Sequence, residues 1–201
     1  MAGLAGARKA ISNCVAQPVV NLLAKTPLTP NLVSWLGFWI TLGAAALIGT
    51  NHLLAAGFVV LAAGLFDMLD GALARATNKV TRFGGVLDST LDRLSEAAIL
   101  LAILVIYVRG QQVGESILVG LALVSSFTVS YLRSRIEAMG IAGNVGFFTR
   151  PERVIILALG LLLSQFQYVL VIALSIITFF SFLTAGQRLF HAWRQTKNMP
   201  D

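Results

Sequence analysis

The sequence predicts an all-α integral membrane protein: six transmembrane helices behind an N-terminal amphipathic juxtamembrane helix. Three observations carry this. The 201 residues are 57% hydrophobic and only 12% charged, too apolar for a water-soluble domain of that size. Several apolar stretches reach the roughly 20 residues that a helix needs to cross about 30 Å of hydrocarbon. The basic residues flank those stretches and form no soluble face of their own.

Residues 1–28 open with Arg8 and Lys9, and Asn13, Gln17, Pro18 and Asn21 then deny them the continuous apolar run of a signal peptide. Ile11, Val15, Val19, Leu22 and Leu23 recur at helical spacing, as an amphipathic helix on a membrane surface would have them; a plain soluble cap is the alternative. The first span is expected over 32–49, opened by Thr29, Pro30 and Asn31 and closed by Thr50 and Asn51. The second covers 53–75 and is apolar until Asp67. A polar loop with Asn78, Lys79 and Arg82 leads to the third, 86–108, whose charges sit in its first two turns. The fourth covers 116–138. A glycine-rich loop then reaches Pro151 and a shorter fifth span, 152–163, and the sixth, 168–193, ends among basic residues. Nothing repeats and no long linker intervenes, so residues 1–201 read as one membrane domain with six spans between about 32 and 193.

An even number of spans puts both termini and the loops after spans two and four on one side. That side collects Arg8, Lys9, Lys25, Arg75, Lys79, Arg82, Arg93, Arg133, Arg135, Arg150, Arg153, Arg188, Arg194 and Lys197, against Arg109 alone opposite. It is therefore the cytoplasmic face of a cell inner membrane. The net charge of +6 reflects this topology and attraction to membrane lipids, and no nucleic-acid partner is expected. A single cysteine, Cys14, excludes an internal disulfide and a cysteine zinc site.

Four of the five aspartates, Asp67, Asp70, Asp88 and Asp92, fall at the cytoplasmic ends of spans two and three. A carboxylate inside a membrane helix costs at least a few kcal/mol unless it meets water or positive charge, so four together call for compensation. Asp67 and Asp70 are three apart and Asp88 and Asp92 four apart, which puts each pair on one helix face. Two such pairs make an oxygen cage for hard cations, Mg²⁺ first and Mn²⁺ second, with two ions expected for four carboxylates. Gly71, Gly84 and Gly85 leave the backbone beside the acids open to a phosphate ligand, although helix packing explains glycines equally well. Arg75, Lys79 and Arg82 add positive charge there.

These residues fit one pattern: D-x-x-D-G-x-x-A-R at Asp67 to Arg75, eight further residues, then G-x-x-x-D-x-x-x-D at Gly84 to Asp92. On that run the chain resembles the CDP-alcohol phosphatidyltransferase family. The resemblance implies a Mg²⁺-dependent enzyme of phospholipid biosynthesis, in which an acceptor hydroxyl attacks the lipid-side phosphorus of CDP-diacylglycerol and releases CMP. It also implies Asp67, Asp70 and Asp88 as ligands of one metal, with Asp92 nearer a second metal and serving as catalytic base. Asn31, Gly71, Ala74, Arg75, Thr81 and Gly84 correspond to CDP-lipid contacts, and a homodimer is expected.

The second half speaks to the acceptor. The stretches around Ser130, Arg133, Arg150, Arg153 and Arg188 resemble those of the phosphatidylinositol phosphate synthase branch. Arginines from three spans at one level suit a dianionic phosphate, so inositol 1-phosphate is the expected acceptor and glycerol-3-phosphate the alternative. Each arginine singly also reads as an inward-facing flank charge. Arg153 is either a phosphate contact or a partner of Glu152, and Arg93 and Glu96 read as a charge pair orienting Asp92. A cation or proton transporter is the alternative of another class, disfavoured because the acids cluster at one end.

Overall fold

The computed structural model describes residues 29–77, 79–143 and 145–197, and every regular element among them is helical. The expected juxtamembrane helix lies outside the described residues. Six helices follow in order: α1 (Pro30–Gly49), α2 (Leu53–Ala76), α3 (Arg82–Arg109), α4 (Val113–Ala138), α5 (Arg150–Leu162) and α6 (Val169–Thr196).

Their starts follow local chemistry. Thr29 caps α1, accepting from the Leu32 N–H with Pro30 beside it, as the sequence predicts. Thr81 caps α3 by accepting from the Gly84 N–H at 2.9 Å, which starts that helix before the expected Val86. In α5 the Glu152 carboxylate reaches back to the Thr149 N–H at 2.8 Å, drawing Arg150 and Pro151 into the first turn.

Helices α1, α2, α4 and α6 are long and apolar enough to cross a membrane, which makes this a membrane protein. The other two differ. Helix α3 has 28 residues, but Asp88, Asp92, Arg93 and Glu96 interrupt its apolar character. Helix α5 has only 13 residues; at about 1.5 Å per residue it covers about 20 Å, short of a full crossing.

The helices close into a ring in which each packs chiefly on two neighbours, in the cyclic order α1, α2, α5, α6, α4, α3. All six contribute to one apolar core, with Ile48, Val60, Ile103, Val119, Leu161 and Leu174 almost wholly enclosed. Small residues bring neighbours close. A Cβ on Gly57 would meet the Leu162 backbone nitrogen at 3.0 Å, and one on Gly160 would meet the Ala173 Cβ at 2.8 Å. Large apolar side chains such as Trp39, Phe58 and Phe179 point outward instead. At one end of the bundle Arg109, the last residue of α3, donates to the Gly49 carbonyl at 3.3 Å. The opposite end holds the four aspartates.

Candidate active site

The last three turns of α2, the first three of α3 and the first turn of α5 meet at that end. Carboxylate oxygens of Asp67, Asp88 and Asp92 lie within 4.8 Å of one another, all three half-buried. Asp70, expected as a ligand beside Asp67 and Asp88, is turned aside. It is buried, and both of its oxygens are engaged: Ser34 on α1 donates to Oδ2 at 2.6 Å, and the Gly71 N–H donates to Oδ1. Asp92, assigned by the resemblance to a second position, completes the compact triad instead. Ser34 is a residue that sequence reasoning missed. The available signal was a hydroxyl three residues after Asn31 in an otherwise apolar turn of the first span.

The expected nucleotide-contacting residues fall into two groups. Asn31, Thr81 and Gly84 are brought together where α1 and α3 begin: a Cβ on Gly84 would come within 2.8 Å of Thr81 Oγ1 and 3.2 Å of Asn31 Oδ1. Gly71, Ala74 and Arg75 lie along the end of α2, with Arg75 exposed and its Nη1 close to Gly71.

The arginines separate by environment. Arg150 Nη1 lies 2.7 Å from Asp92 Oδ1 and also bonds Asp67 Oδ2, so one guanidinium joins α5 to both α3 and α2. Arg153, expected as an acceptor-phosphate contact or a partner of Glu152, is neither. It is 2% exposed and donates from Nε and Nη2 to Glu96 at 2.7 and 2.8 Å. Glu152 is taken by the α5 cap, and Glu96 by Arg153. The expected Arg93–Glu96 pair is therefore also corrected: Arg93 turns back to the Ser89 carbonyl and towards Ser134. Helices α3 and α5 are opposite members of the ring, so the Glu96–Arg153 pair spans its interior.

Arg188 on α6 is likewise enclosed. It donates to the carbonyls of Val145 and Val129 at 2.8 and 2.5 Å, tying the 139–149 loop to α4 beside Ser130. Arg133 is exposed and pairs with Glu137 at 2.9 Å.

Three converging carboxylates are a hard-oxygen donor set that suits Mg²⁺ or Mn²⁺. The cluster is already drawing a cation, in the form of Arg150. Polar groups gather at the α1 and α3 starts, and basic groups come from α4, α5 and α6.

Comparison with known proteins identifies the arrangement. The CDP-alcohol phosphatidyltransferase profile matches residues 27–185. The chain belongs to this family. The match sets aside the transporter alternative and makes the chain a transferase. Phosphatidylinositol phosphate synthase of Mycobacterium tuberculosis is 37% identical over 188 residues, covering 89% of this chain and 86% of that protein. Archaetidylinositol phosphate synthase of Pyrococcus horikoshii is 38% identical over 183 residues, covering 89% and 92%. A crystal structure of the M. tuberculosis synthase with CDP-DAG bound superposes with a TM-score of 0.82 at 36% identity, covering 89% of this chain and 94% of that one. A second, in complex with manganese and citrate, gives 0.81 at 35% identity, covering 89% of both. In this CDP-alcohol phosphatidyltransferase the signature thus lies where α2 and α3 meet, and Arg150 on α5 faces it.

Proposed function

We propose that the chain transfers the phosphatidyl group of CDP-diacylglycerol to a hydroxyl of inositol 1-phosphate, releasing CMP and forming phosphatidylinositol phosphate. The observation that carries this reading is the likeness to phosphatidylinositol phosphate synthases over nearly the whole chain, including helices α4, α5 and α6 that bear Arg133, Arg150 and Arg188.

Asp67, Asp88 and Asp92 hold a divalent metal, Mg²⁺ or Mn²⁺, while Asp70 stays beside them, held by Ser34. Bound there, the metal offsets charge on the phosphate oxygens. Asp92 accepts the proton of the acceptor hydroxyl at a carboxylate oxygen, the role its place in the motif gives it, and its Oδ1 lies 2.7 Å from Arg150, which meets the acceptor phosphate. Asn31, Thr81, Gly84, Gly71, Ala74 and Arg75 receive the CDP portion. Ser130, Arg133, Arg150 and Arg188 surround the acceptor phosphate, and the bond from Arg188 to Val129 sets Ser130 and the loop in place. Arg153 supports this wall from behind through Glu96. The reaction proceeds in a cell inner membrane, with the site and both termini cytoplasmic, an orientation supported by the basic residues. A homodimer belongs to the same reading.

The test supplies purified chain in micelles with CDP-diacylglycerol, Mg²⁺ and either labelled inositol 1-phosphate or labelled glycerol-3-phosphate. CMP release with inositol phosphate entering lipid is expected. Incorporation of glycerol phosphate alone overturns the acceptor assignment. The identity to an archaeal synthase favours one second reading, an ether-lipid donor, and the same assay with CDP-archaeol separates the two.

A further inference from the structure

Helix α5 carries two arginines one turn apart, and they are held very differently. Arg153 is enclosed and spends Nε and Nη2 on a single carboxylate, so it is fixed. Arg150 is half-buried, bridges Asp67 and Asp92 through one terminal nitrogen, and leaves a buried Nε without a hydrogen-bond partner among the described residues. A guanidinium has five N–H donors in a fixed fork, and this seat leaves it incompletely satisfied. Arg150 also occupies the first position of α5, where the helix dipole opposes positive charge. What holds it is the triad. Asp67 and Asp92 are two of the three carboxylates that form the cation cluster, so Arg150 and a divalent ion draw on the same negative charge.

We propose that Arg150 is a displaceable internal cation: it neutralises the Asp67–Asp92 pair, and metal entry releases it to meet the acceptor phosphate. This rests on reading the aspartates as metal ligands and Arg150 as an acceptor contact. It adds that the two events are linked through one side chain. The pivot is provided by the fixed Arg153 one turn further along. By linkage, whatever holds Arg150 on the acceptor side tightens metal binding, and metal prepares the acceptor site in return. The apparent affinity for metal is then reduced by the fraction of molecules in which Arg150 still covers the carboxylates.

Mn²⁺ binding to the full chain in detergent micelles, read by electron paramagnetic resonance without nucleotide or acceptor, tests this directly. Arg150→Gln should bind Mn²⁺ about tenfold or more tightly than wild type, as expected when a conformation populated at about 10% or less becomes dominant. Arg93→Gln is the control. It removes a nearby charge bonded to a carbonyl and a serine hydroxyl, with no carboxylate contact, and should tighten Mn²⁺ binding far less. Equal affinity of Arg150→Gln and wild type, weaker binding by Arg150→Gln, or equal tightening by both variants overturns the inference. If wild type binds no Mn²⁺, the metal reading falls and takes this inference with it. If Arg150→Gln does not elute as a folded species, Arg150→Met replaces it: it keeps much of the side-chain length without the charge, so tighter Mn²⁺ binding than wild type is again expected, and its absence counts against the proposal.

Discussion

Breaking the Glu96–Arg153 pair should cost more stability than any change to a single surface charge. The two side chains are 5% and 2% exposed and joined by two bonds of 2.7 and 2.8 Å across the ring. Glu96→Leu leaves a guanidinium enclosed without a counter-charge, which costs about 3–5 kcal/mol. In a chain of about 200 residues each kcal/mol lowers the melting temperature by about 2–4 °C, so a fall of about 6–20 °C is expected. Replacing both residues, as Glu96→Leu with Arg153→Met, removes the stranded charge and should recover most of that loss. The assay is thermal unfolding in one fixed detergent, followed by tryptophan fluorescence for the wild type, both single variants and the double. The double-mutant cycle isolates the coupling. A Glu96→Leu variant melting within about 3 °C of wild type, or a double variant as unstable as the sum of the singles, refutes the assignment of this pair as a buried tie between α3 and α5.

Four further outcomes follow from the geometry. Ser34→Ala removes the 2.6 Å bond to Asp70 and should raise the KM for CDP-lipid more than that for the acceptor, measured by CMP release. Asp92→Asn should lower kcat by about 10²–10⁴-fold, with Mn²⁺ binding followed separately to divide lost proton transfer from lost metal. Arg188→Ala removes the bonds that hold the Val145 carbonyl of the loop and the Val129 carbonyl of α4; it should raise the acceptor KM well above any change for CDP-lipid and expose the segment around Val145 to limited proteolysis. Gly160→Val drives a side chain into Ala173 and Leu170 and should destabilise the fold by about 1–3 kcal/mol, with Ala173→Gly relieving part of the loss in the same melting assay.

Most of the helix order was legible because long apolar runs have few alternatives, and the motif spacing placed the four aspartates on facing helices. The starts of α3 and α5 were misjudged for one reason. Each begins with a polar, charged turn, so the apolar pattern begins later than the threonine cap that opens the helix. The partners of Glu96 and Arg153 were illegible for a different one. Arg93 and Glu152 are near in sequence and of the right sign, whereas the true pairing depends on α3 and α5 being opposite in the ring, which no local spacing encodes. The inward turn of Asp70 depends likewise on Ser34 arriving from α1. Asp70 had a helix partner at the right interval in Asp67, and the hydroxyl that holds it belongs to another element.

The cyclic helix order has a consequence for how the protein is made. Ribosomal synthesis delivers α2 and α3, with Asp67, Asp88, Asp92 and Glu96, well before α5 brings Arg150 and Arg153. A nascent chain that has reached the 110–112 turn thus presents acids whose cations have not yet been translated. Those early helices must remain shallow or hydrated at their charged ends until α5, the shortest helix, packs on α2, after which α6 joins α5 to α4 and closes the ring. Commitment of the bundle to its final depth in the lipid therefore waits on 13 late residues, and a chain cut before Arg150 should be recognised as unassembled by membrane quality control.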